Sequence, residues 1–304
     1  MIRIKSKKAK PRFIDLVFDG FIYLFFAVFT LMCVFPFYYI FINTISANDL
    51  VSRGIVLLLP KGIHFGNYVK ILELRALPNA VLVSVARTVL GTALNVLCTS
   101  FVAYAVSKKK LWHRKFVYRF FIVTMYFNAG LIPWYLNMRA LHLDNTFLAY
   151  IIGVVSAFNL ILIKTYIESI PESLEESAEI DGAGYLTVFF RLILPLSKPI
   201  LATVAVFTAV GQWNSFMDTL ILIRNSRLYT LQFLLWQYLN QSTAIANAMR
   251  DAAAQGGFFD PSAMLTTSSV RMTIAMVVTL PVLFIYPFFQ RHFVKGIMIG
   301  AIKG

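Results

Sequence analysis

The sequence predicts an all-α integral membrane protein with six transmembrane helices and one short helix outside the membrane, between the fourth and fifth spans. Three observations carry this expectation. Charged residues make up only 14% of the 304 residues, against about 25% in a soluble domain. Mean hydropathy is +0.72. Six apolar runs, at about 18–43, 81–106, 116–139, 146–167, 198–222 and 272–294, are each long enough to cross a hydrocarbon core of roughly 30 Å. Lipid offers free backbone groups no partner, so the runs must be helical.

Residues 1–17 form a basic tail with Arg3, Lys5, Lys7, Lys8, Lys10 and Arg12. The run that follows is too long for the apolar core of a signal peptide and has no small-residue cleavage site, so it reads as the first span. Residues 18–304 then read as a single transmembrane domain. The third and fifth runs carry polar residues: Asn128, Gly130, Pro133 and Asn137 in one, Gln212, Trp213 and Asn214 in the other. Polar side chains at membrane depth face a protein interior or a wet cavity. Cys33 and Cys98 lie inside apolar runs without metal-ligand spacing and read as small buried residues.

The direction of the chain follows from its short basic flanks. The N-terminal tail, Lys108, Lys109, Lys110, Arg114 and Lys115 after the second run, and Arg291, Lys295 and Lys303 at the end all fall on one side. That side is expected to be the cytoplasm, with both termini in it. Two longer segments, 44–80 and 223–271, face outward.

This orientation puts an unusual stretch in the cytoplasm. Six of the 14 acidic residues lie between Glu168 and Asp181, in a chain of formal charge +14. Such a cluster looks made for a partner. Ser169 is placed to cap a helix, Pro171 to sit in its first turn and Glu172 to close a capping box. Glu172, Glu175 and Glu176 favour the positive end of the dipole. Gly182 and Gly184 are candidate stops. The expected product is a helix over about 170–184, with Pro195 and Pro199 bending the chain back toward the bilayer.

The residues Glu176-Ser-Ala-x-x-Asp181-Gly182-Ala183, then Phe190, Leu194-Pro195 and Lys198-Pro199, resemble the EAA loop of ATP-binding-cassette importer permeases. Ser177 stands where that motif usually has alanine. The Asp-Gly-Ala and Leu-Pro-Leu-Ser-Lys-Pro details, with Gln212-Trp213-Asn214-x-Phe216 and the C-terminal Tyr286-to-Gly304 segment, resemble the MalG-like carbohydrate branch, close to permeases for complex saccharides. The resemblance covers nearly the whole chain beyond the basic tail.

It implies a permease subunit that pairs with a second permease, two ATPase subunits and an extracytoplasmic sugar-binding protein or lipoprotein, in the bacterial cell membrane. It implies that the helix near 170–184 couples to the ATPases through Glu172, Glu175, Glu176, Ser177, Ala178, Asp181, Gly182 and Ala183, and that the C-terminal tail reaches the ATPase dimer. The loop at 241–262, with Arg250, Gly256, Gly257 and Phe258, corresponds to a segment that contacts the binding protein. Asn128, Trp134, Asn137, Trp213 and Asn214 are candidates to line a substrate path, since amides and aromatics suit a polyol.

The chain has no G-x-x-x-x-G-K-[ST] phosphate cradle. No cofactor is therefore expected on it, and ATP and magnesium are expected on the partner ATPases. No metal site, nucleic-acid partner or catalytic residue is expected either. His64, His113, His142 and His292 are scattered, without H-E-x-x-H or G-x-S-x-G, which argues against an intramembrane enzyme. The absence of a carboxylate at any span centre and of an inverted repeat argues against a secondary transporter. A peptide or amino-acid permease of the same importer class remains the alternative, because such permeases also carry EAA-type loops.

Overall fold

The computed structural model describes residues 13–72, 76–127, 129–152, 155–240 and 271–283, and every regular element among them is helical. In chain order these are α1 (Phe13–Thr44), α2 (Asn48–Ser52), α3 (Gly66–Leu72), α4 (Leu77–Ser107), α5 (Arg114–Tyr126), α6 (Leu131–Ala140), α7 (Leu148–Ile151), α8 (Ala157–Ile167), α9 (Glu172–Ile180) and α10 (Tyr185–Val188). A π-helical turn (Phe189–Ile193), α11 (Leu194–Leu196), α12 (Lys198–Asn214), α13 (Met217–Leu222) and a 3₁₀ turn (Ser226–Leu228) follow. The last are α14 (231–240) and α15 (Arg271–Leu283).

Among the described residues, α1 and α4 are the single helices long and apolar enough to cross a bilayer. The other expected runs are broken. The third is α5 and α6, whose axes diverge by 119°, with Gly130 at φ +89° opening α6. In the fourth, helix ends at Ile151 and restarts at Ala157, where the Ser156 side chain caps α8 by accepting from the Asn159 amide. The fifth begins with an 81° bend between Tyr185–Leu196 and Lys198–Asn214. Ser197 sits at that bend, between Pro195 and Pro199, each of which removes a backbone donor. Residues 284–294 of the sixth expected run lie outside the described residues.

The described residues group into two compact units. One comprises 13–68 and 271–276. Its core is Ile42, Val51 and Val56, with Leu50 and Met272 packed against them. The segment after α1 is tied down by polar contacts: the Thr44 and Tyr68 hydroxyls lie 2.8 Å apart, and the Asn67 amide donates to Thr44 O at 3.0 Å. The apolar surface of α1 is left bare from Val17 to Tyr38, with Phe21, Phe25 and Phe29 stacked along it. That is the surface a helix presents to lipid or to a second membrane subunit.

The other unit comprises 69–240 and 277–283. Helix α4 is its axis, flanked by α8 and α12. At one end Ala103, Tyr104, Leu160, Ile163, Ile167, Phe189, Ile193 and Val204 form an apolar core. Phe189 fills its middle, edge-on to Phe101 and Phe190. At the other end Val83, Met138, Ala149, Tyr150, Leu222 and Ile223 form a second core. One sequence expectation is corrected here. Cys33 and Cys98 are exposed on the outer surface of their helices, not buried, because a lipid-facing position accepts a small apolar residue as readily as a core does. Arg87 lies little more than one turn from the midpoint of α4 and is 3% exposed.

Burial of Arg87 is possible because all five of its N–H donors are used. Two reach the Asp218 carboxylate, at 2.6 and 3.2 Å. Two reach Gln212 Oε1, at 2.9 and 3.1 Å. The fifth reaches Ser215 O at 3.3 Å. Its guanidinium carbon also stands 4.5 Å over the Tyr150 ring. Gly91 is required beside this cluster: a Cβ there would stand 2.8 Å from Gln212 Nε2. Asp218 also accepts from the Ser215 hydroxyl and the Thr219 amide, which closes the break between α12 and α13. Removing one charge strands the other in an apolar setting. Asp218→Asn or Arg87→Leu should cost about 3–5 kcal/mol, and Arg87→Met with Asp218→Leu should recover most of that loss. Thermal unfolding of the purified protein reads this, and a double variant no better than either single one would show that the pair is not coupled.

Candidate functional site

The acidic stretch folds as α9, two residues later than expected at its start and about four earlier at its end. Pro171, not Ser169, is the N-cap residue, and no side chain caps the helix. Ser169 is spent on the preceding helix, where its hydroxyl donates to Tyr166 O at 2.6 Å. The C-terminal end follows the glycine expectation. Gly182, at φ +82°, donates to Glu179 O at 3.0 Å, and Ala183 donates to Ala178 O at 2.9 Å. This is a Schellman closure, which needs a residue that adopts the left-handed region without strain. Ala178 and Ala183, one on each side of the closure, pack against the core around Phe189 and so anchor the helix to the bundle.

The charge of α9 is met mostly within the chain. Glu172, Glu175 and Glu179 are three and four residues apart and share one face. Three consecutive lysines after α4 meet that face: Lys109–Glu172 at 2.6 Å, Lys110–Glu179 at 3.4 Å, and Lys108 on Glu175. Lys108 Nζ also lies 4.2 Å from the Tyr104 ring. Upstream, Glu168 accepts from Arg114 and from Lys164, the latter at 2.8 Å. A groove of about 380 Å³ runs between the lysines and the helix. Four of the six carboxylates of the acidic cluster are engaged by the chain's own bases.

The remainder forms a separate face. Glu176, Ser177, Ile180, Asp181 and Gly182 are exposed, and Ile180 is 85% exposed. No ion pair engages Glu176 or Asp181 among the described residues. Hydrogen bonding to Lys109, with the charge of that lysine, holds the Glu172 carboxyl below its ordinary value of 4.5. Hydrogen bonding to Glu179 raises the Lys110 ammonium above its ordinary 10.5. Both pairs are solvated and individually weak, whereas Lys108–Glu175 and Lys164–Glu168 are partly screened from water.

An open cleft of about 350 Å³, part polar and part apolar, lies in the second unit, away from α9. Arg87, Asn95, Trp134, Tyr150, Asn159, Thr208, Gln212 and Asp218 line it. Of the five path residues expected from the sequence, Trp134 alone is in this lining. Trp213 is buried and its indole donates to Val278 O at 3.0 Å, so it braces the last described helix. Asn137 and Asn214 are exposed elsewhere, and Asn128 lies outside the described residues. Arg250, Gly256, Gly257 and Phe258, together with the C-terminal tail, also lie outside them. The lining residues that were missed do carry a sequence signal: Arg87 and Asn95 are eight residues apart, with Gly91 midway, and Thr208 and Gln212 are four apart. Within a uniformly apolar run that spacing marks one wet face.

Tyr150 shows how tightly the cavity wall is built. Its hydroxyl donates to Leu228 O at 2.7 Å and lies 3.0 Å from the Thr219 hydroxyl, while its carbonyl accepts from Gln212 at 3.3 Å. Thr208 Oγ1, by contrast, is buried and has no hydrogen-bond partner among the described residues.

Comparison with known proteins matches this arrangement. Residues 7–299 match the family model described as binding-protein-dependent transport system inner membrane component. The chain is 35% identical over 289 residues to the polygalacturonan/rhamnogalacturonan transport system permease protein YtcP of Bacillus subtilis (strain 168), covering 95% of this chain and 99% of that one. It is 26% identical over 276 residues to the melibiose/raffinose/stachyose import permease protein MelC of the same organism, covering 88% and 91%. Among solved structures it superposes with a TM-score of 0.81 and 30% identity on a chain of a bacterial ABC transporter involved in the import of the acidic polysaccharide alginate, covering 94% of this chain and all of that one. A match over nearly the whole length, on a helical membrane scaffold, shows that the chain belongs to the family of binding-protein-dependent transport system inner membrane components.

Proposed function

We propose that this chain is one of two permease subunits of an ABC importer that moves a saccharide delivered by an extracytoplasmic binding protein, with ATP and magnesium bound on separate ATPase subunits. The observation that carries the mechanism is the two-sided character of α9. One face is strapped to Lys108, Lys109 and Lys110 and its small residues are set into the bundle core. The other presents Glu176, Ile180 and Asp181 to solvent. A helix so mounted receives a push on its free face and passes it into the bundle at Phe189 and Val204. The free face is the docking surface for an ATPase on the cytoplasmic side. On this reading the broken helices pair into single spans, α5 with α6, α7 with α8 and α12 with α13. Together with α1, α4 and the helix that begins as α15 they make six crossings, with both termini in the cytoplasm. Broken spans fit a path through the membrane, since non-helical backbone is tolerated there where it lines a cavity.

The substrate reading rests on the relatives, whose names are those of saccharide permeases, and on the chemistry of the cavity. Arg87, the one cation among its described lining residues, is saturated by Asp218, Gln212 and Ser215, so the lining offers neutral amides, hydroxyls and Trp134 beside Met138, Ala149 and Ile152. Such a surface suits sugar hydroxyls and gives no free charge to an ion. Thr208 also lines the cleft, with its hydroxyl buried and without a protein partner among the described residues.

Three outcomes test these assignments. Reversing Lys108, Lys109 and Lys110 to glutamate should abolish the link between saccharide transport and ATP hydrolysis in the reconstituted complex. Combining that with Glu172→Lys, Glu175→Lys and Glu179→Lys should restore it, and failure of the swap with complex assembly intact would sink the strap. The strap should also respond to pH in a defined way. Glu172 is depressed in the folded state, so its contribution is complete above 4.5 and is lost as pH falls through the lower folded value. Lys110 is raised, so its contribution is complete below 10.5 and is lost as pH rises through the higher folded value. Protection of the 172–180 amides, taken as the exchange rate relative to the intrinsic rate at each pH, should therefore be flat around neutrality, fall at both extremes, and fall with added salt. Finally, Thr208→Val breaks no protein hydrogen bond. It should raise thermal stability, since a buried hydroxyl without a partner costs about 1–3 kcal/mol, and an unchanged unfolding midpoint would show that the hydroxyl is hydrogen-bonded.

A further inference from the structure

A second cluster of charge, which the transport reading does not use, lies where α5 begins. A groove of about 490 Å³ is lined by Lys109, His113, Arg114, Lys115, Phe116 and Arg119. Lys109 and Arg114 are engaged by Glu172 and Glu168. His113, Lys115 and Arg119 make no ion pair among the described residues. Three electrostatic effects oppose this arrangement as it stands. Lys115 and Arg119 are like charges four residues apart on one helix face. Lys115, in the first turn, sits at the positive end of the α5 dipole. The first turn of α5 has no acidic residue and no side-chain cap. An anion in the groove offsets all three at once.

The surroundings say which kind of anion. Phe116 is 70% exposed, and Phe120, four residues on and on the same face, is exposed as well. Trp112 stands just outside the helix, 83% exposed. A ring of bases at a helix entrance, an apolar stripe running from it along the helix and a tryptophan at the rim match the layering of a membrane surface. We propose that this groove binds an anionic phospholipid: the phosphodiester sits among His113, Lys115 and Arg119, and an acyl chain lies along Phe116 and Phe120. The site requires that α5 enters the bilayer. It does not depend on which partner α9 meets, so either reading can fail without the other.

The test uses the assembled complex in phosphatidylcholine bilayers doped with equal fractions of brominated phosphatidylglycerol or brominated phosphatidylcholine. Trp112 emission is taken as the difference between the wild-type complex and Trp112→Phe. The brominated anionic lipid should quench it several-fold more strongly than the zwitterionic one. Lys115→Gln and Arg119→Gln should each reduce that preference by about fivefold, and Lys115→Arg should keep it. Both positions are exposed, and assembly of the complex with its ATPases checks that the variants fold. Equal quenching by the two lipids, or a preference that survives the double variant, overturns the proposal. Displacement of the brominated lipid by inorganic phosphate or glycerophosphoglycerol would show a site for soluble phosphate and overturn the assignment to lipid.

Discussion

The second unit of this chain depends on one buried cation. Helices α7, α12 and α13 are short or interrupted, and an interrupted helix leaves backbone groups that lipid cannot satisfy. Arg87 on α4 draws these pieces together: it holds Gln212 and Ser215 at the end of α12, Asp218 at the start of α13, and the ring of Tyr150 on α7. A neutral residue of the same size has neither the five donors nor the charge to hold Asp218. The cluster closes because its members complete one another, and Gly91 lets the Gln212 amide come near enough to take part.

The cavity is a consequence of the same cluster. Breaks in α7–α8 and α12–α13 open space next to α4, and the clasp keeps its polar lining from collapsing into ion pairs with anything that enters. Charge there is internally cancelled, so recognition falls to amides, hydroxyls and Trp134. This separates the proposed sugar path from the proposed ATPase contact, about half the length of α4 away, where charge is plentiful and mostly solvated. On the proposed reading, transmission between the two would run through the apolar packing around Phe189 and Val204, since the lysine strap does not touch the cleft.

Much of the fold was legible in the sequence. Hydropathy marked α1 and α4 because both are long and uniform, and glycine chemistry marked the end of α9 because few residues accept φ near +82°. Prolines marked the bend at Ser197. The breaks inside the third, fourth and fifth runs were less legible: a run of apolar residues has the same hydropathy whether the helix is straight or interrupted. Ser169 illustrates a local ambiguity, because a serine before a proline serves the end of one helix as well as the start of the next, and the α8 end claimed it.

The candidate site divides in the same way. By itself the sequence determined that the chain lies in a membrane, that an acidic helix follows the fourth run and that its motif is that of an importer permease, since these properties reside in composition and in contiguous residues. Tertiary structure alone decided which charges are spent and which are free. Lys108 to Lys110 meet Glu172 to Glu179 across more than sixty positions of chain, and Arg87 meets Asp218 across 131. Pairings at that separation arise from helix packing, and no local pattern encodes them. The same packing made Trp213 a brace and Gln212, its neighbour, a wall of the cavity, because adjacent residues on a helix point about 100° apart.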